Sequence, residues 1–162
     1  MQGPYASAIA TVTVAVAVGG LILLAVGLPP RGRSPPQEYR LSRAKWESSG
    51  IHSYELTVQD YCECDMRPIR VTVVNDRVAR ALFANVTAAK VPTEADLKYR
   101  LLTVDAIFDD IARSYSKAYF KVSAVYDGKY GYPVEYSRDP DAKVIDDDSV
   151  TKISDFSPGP RG

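Results

Sequence analysis

From Ala6 to Leu28 the chain runs for twenty-three residues without a charge, and this stretch constrains the molecule more than any other. At about 1.5 Å per residue, a helix of that length crosses a hydrocarbon core about 30 Å thick. Two membrane roles compete for it. A secretory signal peptide carries a basic n-region, an apolar stretch of roughly 7–15 residues and a small-residue cleavage site. Here residues 1–5 hold no Lys or Arg, the run is too long, and Ala25 with Gly27 offers only a weak cleavage site. No cysteine lies in or just after the run to take a lipid. The sequence favours a membrane anchor or signal-anchor helix over residues 1–28, with a cleaved signal as the alternative. Arg31, Arg33, Arg40, Arg43 and Lys45 follow the run and nothing basic precedes it. Taken alone, that asymmetry places the rest of the chain in the cytoplasm.

Residues 29–38, with four prolines, a glycine and no leucine, read as a short stiff spacer. Residues 157–162 read as a flexible tail. Residues 39–156, the remainder, have the size of one domain with one core. Twenty basic residues balance twenty acidic ones, so no nucleic-acid partner is expected.

Periodicity gives the element order. Gln37–Ser49 places Tyr39, Arg43 and Trp46 on one line, with Leu41 and Ala44 beside it, and Gly50 ends that helix. Ser53–Cys62 alternates, with Tyr54, Leu56 and Val58 on one face, as a half-buried strand does. Residues 69–74 and 78–83 form a hairpin around Asn75-Asp76-Arg77. A three-residue loop is preferred, because it pairs Val71 with Ala81 and Val73 with Ala79 on one face. Thr103–Tyr115 carries the clearest apolar stripe: Val104, Ile107, Phe108, Ile111, Ala112 and Tyr115, with Thr103 as cap and Asp105 in the first turn. Strands follow at 120–126, 132–137 and 150–156. The expected fold class is α+β: an N-terminal transmembrane helix, then an antiparallel sheet in the order α-βββ-α-βββ with two helices packed on one face.

Several features occur in an order along the chain that resembles a bacterial family, domain of unknown function 6174. They are Trp46, Gly50-Ile51-His52-Ser53-Tyr54, Cys62-Glu63-Cys64 and residues 74–78 of the hairpin. Ile107-Phe108, Tyr126-Asp127, Tyr130-Gly131-Tyr132-Pro133 and Asp146-Asp147-Asp148 complete the set. The resemblance runs from about Trp46 to Phe156. It implies an exported or membrane-attached protein with no assigned activity, and so an extracytoplasmic domain, against the charge asymmetry.

Cys62 and Cys64 are the only cysteines. On a strand both face the side of Tyr54, Leu56 and Val58. A bond between them needs a local bend and closes a very small loop. Two buried thiols, a redox pair and a metal site are the other readings, and zinc would need about four ligands where the chain has a single His. His52 beside Ser53 makes no triad without spatial convergence. Tyr126, Asp127, Tyr130 and Tyr132 form a Tyr-rich turn, the candidate binding surface, set against a purely structural turn. The aspartates at 139, 141, 146, 147 and 148 crowd one loop but lack the spacing of a calcium loop. Asn85-Val86-Thr87 is a formal glycosylation sequon.

No phosphate-binding Gly-rich loop, Gly-x-Ser-x-Gly or His-Glu-x-x-His occurs. The expectation is therefore a non-enzymatic, membrane-tethered binding or structural module, with no cofactor and no metal, held to the membrane through residues 6–28 and open to a protein partner. The alternative is a thiol-disulfide redox component using the Cys-x-Cys pair.

Overall fold

A computed structural model of the chain describes residues 32–62, 66–85 and 90–159. The element order is α1 (Gln37–Ser48), β1 (Tyr54–Tyr61), β2 (Ile69–Val74), β3 (Arg77–Phe83), α2 (Glu94–Leu97), α3 (Val104–Ser116), β4 (Lys121–Tyr126), β5 (Pro133–Asp139) and β6 (Ser149–Pro158). All six strands join one antiparallel sheet in the order β3-β2-β1-β6-β5-β4.

Two corrections to the expected fold follow. Among the described residues three helices are present, because α2 stands between β3 and α3. Its cause is local: the Thr93 hydroxyl accepts from the Asp96 amide while the Asp96 carboxylate accepts from the Thr93 amide, a reciprocal cap on a single turn. Among the described residues, moreover, no helix is long and apolar enough to cross a membrane. The run 6–28, on which the transmembrane helix was expected, lies outside the described residues.

The alternation of β1 sends Tyr54, Leu56 and Val58 into the core beside Ile69, Val71 and Val73 of β2. α3 buries Val104, Ile107, Phe108 and Ile111 against the same face, and its Thr103 hydroxyl accepts from the Ala106 amide. α1 runs antiparallel to α3. Tyr39 donates to the Phe108 carbonyl, and Arg43 pairs with Asp109 at 2.8 Å. Leu41 is exposed instead of joining the apolar line.

The hairpin resolves differently from the three-residue loop. Ile69 pairs with Phe83 and Val71 with Ala81, but Val73 then pairs with Val78 and Val74 with Arg77. Asn75 and Asp76 both adopt positive φ, 48° and 63°, the two-residue turn that matches strand twist. A bulge near Ala79 absorbs the extra residue, so both the tight turn and the inner register are kept.

A second bulge, at Asp155 with φ 52°, shifts the β6 register opposite β1 and turns Phe156 inward. There it meets Trp46, Tyr54 and Tyr132 at ring-centroid distances of 5.9, 5.6 and 4.2 Å. β6 continues to Pro158, and the Gly159 amide donates to the Ser53 carbonyl at 2.7 Å. Each triplet is a meander laid out in the same spatial order, β3-β2-β1 and β6-β5-β4, and the two halves join where β1 pairs with β6.

Candidate functional site

Antiparallel order gives the domain two ends. The C-terminal ends of β1 and β5 and the start of β6 lie at one end, together with the C-terminus of α3. There, two polar residues fall in phase with apolar positions on the core face. Asp60 follows Leu56 and Val58, and Thr151 precedes Ile153. The Thr151 hydroxyl donates to the Asp60 carboxylate at 2.7 Å, and the Arg100 guanidinium stands 3.6 Å from the other Asp60 oxygen. Arg100 also donates to the Arg67 carbonyl at 2.9 Å.

Arg138 centres a second network at the same end. Its Nε donates to the Ser149 hydroxyl at 3.0 Å, and its Nη1 to the buried Asp110 carboxylate on α3. Asp110 accepts further from Arg113 at 2.9 Å and from the Tyr136 hydroxyl at 3.0 Å. Burial, with the nearby Asp110 charge, pushes the Tyr136 phenol well above its ordinary pKa. The phenol therefore stays protonated as a donor.

Over this floor opens a cleft of about 440 Å³. Its walls come from the ends of β1, β5 and β6, the acidic run Asp146–Asp148, and the Ala95–Leu101 segment that the Thr93 cap sets in place. Tyr99 stands on the rim, 83 % exposed. Cys62 lines the same cleft and is disulfide-bonded. Cys64, the only other cysteine, lies outside the described residues.

The candidate binding turn sits at the opposite end. Asp127 Oδ1 accepts from the Lys129 and Tyr130 amides, and the Gly131 amide donates to the Asp127 carbonyl at 3.0 Å. The turn folds onto α1, where Lys45 Nζ donates to the Gly128 carbonyl. Gly131 has φ 84°, and a Cβ there would stand 2.5 Å from the Ser42 carbonyl oxygen. Tyr132 is buried; Tyr126 and Tyr130 are half-buried, against Phe108 and Phe156. Burial raises the Tyr126 and Tyr132 phenols above their ordinary range.

Cys62 and the Tyr-rich turn are thus not brought together. His52 pairs with Asp76 at 2.9 Å, and the Ser53 hydroxyl accepts from the Asn75 amide, so each is tied to the hairpin rather than to the other. Of the acidic loop, Asp146, Asp147 and Asp148 reach the cleft, while Asp141 accepts from the Lys143 amide. Among the described residues no group of three or more His, Cys, Asp or Glu side chains is arranged to hold a metal ion. In the sequon, Asn85 is described and exposed; residues 86 and 87 are not described.

Sequence reasoning missed Asp60, Tyr99, Arg100, Arg138 and Thr151. A charged residue in phase with an apolar strand face is a readable signal, and Asp60 after Tyr54, Leu56 and Val58 is one. Thr93-x-x-Asp96 is another.

The model of the family of unknown function DUF6174 matches residues 38–158. The chain belongs to that family. The match begins one residue inside α1 and stops at the last residue of β6, so the DUF6174 unit is the whole sheet with its helices. Neither the curated proteins nor the solved structures give a match.

Proposed function

We propose that this DUF6174 domain is a membrane-tethered, extracytoplasmic binding module whose ligand sits in the cleft at the strand ends. The observation that carries the reading is the cleft floor. Asp60, Arg100 and Arg138 line it, the first two held with Thr151 and the third held by Ser149 and by Asp110 beneath, which Tyr136 also binds. Groups already paired in this way serve recognition at fixed positions better than proton transfer, which needs an acid or base free to exchange. Tyr99 adds a wide, low-entropy contact surface at the rim.

Tethering is supported by the uncharged run 6–28. The extracytoplasmic side is supported by the disulfide at Cys62, since such bonds persist in oxidising compartments. The basic residues after the run oppose it, so topology needs its own test. Protease added to intact spheroplasts is expected to digest the domain; protection until lysis would reverse the orientation.

The binding test places a photo-crosslinking residue at Tyr99 or, as control, at Val78 of the far hairpin. The expected result is a discrete adduct from position 99, lost on Arg138→Ala, and none from position 78. Equal labelling at both positions, or none at 99, would remove the cleft as the site.

A second reading rests on Cys62 itself, an oxidised cysteine facing the same cleft. In a thiol-disulfide component that bond would cycle. Thiol labelling in native membranes separates the two, because a bond that resists mild reductant belongs to a binding module and one that opens readily to a redox component.

A further inference from the structure

The chain enters the domain at a fixed point. The Arg33 amide donates at 2.8 Å to the Tyr115 carbonyl in the last turn of α3, which also accepts from the Ala118 amide, and the Arg33 guanidinium donates to the Tyr119 carbonyl. Gly32 lies so close to α3 that a Cβ on it would stand 1.9 Å from the Ser116 carbonyl oxygen. The spacer is therefore seated on the domain from Gly32 onward. Only residues 29–31 separate Gly32 from Leu28, the end of the uncharged run, and four virtual bonds reach at most about 14 Å. If the run is held in a bilayer, the α3 end of the domain lies against its surface.

That end carries unpartnered apolar side chains. Phe120, next to the Tyr119 that Arg33 holds, is 61 % exposed. Its amide donates to the Pro140 carbonyl at 3.3 Å, which joins the α3–β4 link to the β5–β6 loop. That loop presents Ile145, 86 % exposed, and Val144, 52 % exposed. Lys117, Lys121 and Lys143 flank them in the sequence, all exposed; of the acids in the same loop, Asp141 is exposed, and Asp146, Asp147 and Asp148, directly after Ile145, line the cleft. Exposed apolar tips with lysines beside them in the sequence match a lipid interface, where the ring and branched chains enter the acyl boundary and the ammonium groups stay at headgroup level.

We propose that Phe120, Val144 and Ile145 insert into the membrane surface and hold the domain down, cleft-end first, on the bilayer that anchors it. The proposal rests on the tethering reading above. It makes the cleft, whose acidic wall belongs to the same β5–β6 loop, open at the lipid surface and the Tyr-rich turn point away from it.

The test uses the full chain reconstituted in vesicles of phosphatidylcholine and phosphatidylglycerol, with or without brominated acyl chains. Tryptophan replaces Phe120, Ile145 or, at the far end, Val78; native Trp46 is buried and gives the common background. Insertion predicts that bromolipid removes most of the added emission in Phe120→Trp and Ile145→Trp and leaves that of Val78→Trp. Flotation of the same vesicles reads tethering separately. A chain that floats but shows no quenching at 120 or 145 overturns the insertion and keeps the tether. So does concentration-dependent self-association that covers Phe120 instead. A chain that does not float removes both.

Discussion

The two ends of the domain are built from opposite materials. At the hairpin end, Trp46, Tyr54, Tyr132 and Phe156 pack edge-on or stacked, with centroids 4.2 to 6.3 Å apart, and fill the space between α1 and the sheet. At the α3 end, charged groups occupy core-face positions and an open cleft stands above them. Aromatic packing gives stability without directing polar groups at solvent. A buried ion-pair network is weak evidence for stability, because desolvation offsets much of the attraction, but it fixes side chains in space. The difference suggests a division of labour: one end holds the fold and the other presents chemistry.

The largest expected effect tests the first half of that division. Trp46→Ala removes a side chain that is 4 % exposed and meets three other rings. It should cost about 3–5 kcal/mol in urea unfolding, the range for a large buried aromatic. A cost below about 1 kcal/mol would mean that the far end is not the stabilising one.

What could be read beforehand follows the same line. β1 and α3 were legible because one apolar period, 2 or 3.6, dominates each and tertiary packing agrees with it. In the hairpin, strand pairing alone points to a three-residue loop. Asn75-Asp76 asks for a two-residue turn, and a bulge reconciled the two demands. α2 was missed because four residues are too few for periodicity, though its cap is written in Thr93 and Asp96. The cleft needs Asp60, Arg100, Arg138 and Asp146–Asp148 from four distant segments. No local pattern in one sequence brings those together. The tyrosines at 126, 130 and 132 drew attention because Tyr serves both cores and binding surfaces, and sequence does not show that the turn folds back onto α1.

A pair of glycine substitutions sharpens the comparison at an intermediate scale. Gly131→Ala meets both a positive φ of 84° and the Ser42 carbonyl, so the Tyr-rich turn must lift from α1, at about 1–3 kcal/mol. Gly32→Ala meets the Ser116 carbonyl, but only the entering strand must move, and the lost Arg33 bond accounts for about 1 kcal/mol. Unfolding curves for both variants, with hydrogen exchange at the Arg33 amide, give the order. Equal losses would show that the entering strand is as integral as the turn, and the two ends would no longer differ in that respect.

The smallest effect concerns one carboxylate at each end. Asp110, in the network, is bound by Arg113, Arg138 and Tyr136. Asp105, at the aromatic end, has Arg43 at 3.9 Å and shares a small cleft with Trp46 and Asp76. Burial raises the Asp105 pKa above its usual value, and the charge of Asp76 adds to this, against the opposing pull of Arg43. The folded state then binds the proton more tightly than the unfolded state. The contribution of this group to stability accordingly falls as pH rises from the ordinary aspartate value of about 4 through the raised folded value, and is level above it. Asp105→Asn should abolish that falling limb. At neutral pH it should leave the melting temperature unchanged or higher, since an amide fills the same space while the desolvated charge is gone. Melts from pH 3 to pH 8 on both proteins read the slope directly. A variant less stable than the parent at neutral pH would mean that Arg43 and the α3 N-terminus favour the carboxylate after all, and that the aromatic end, like the cleft end, has a charge built into its stability.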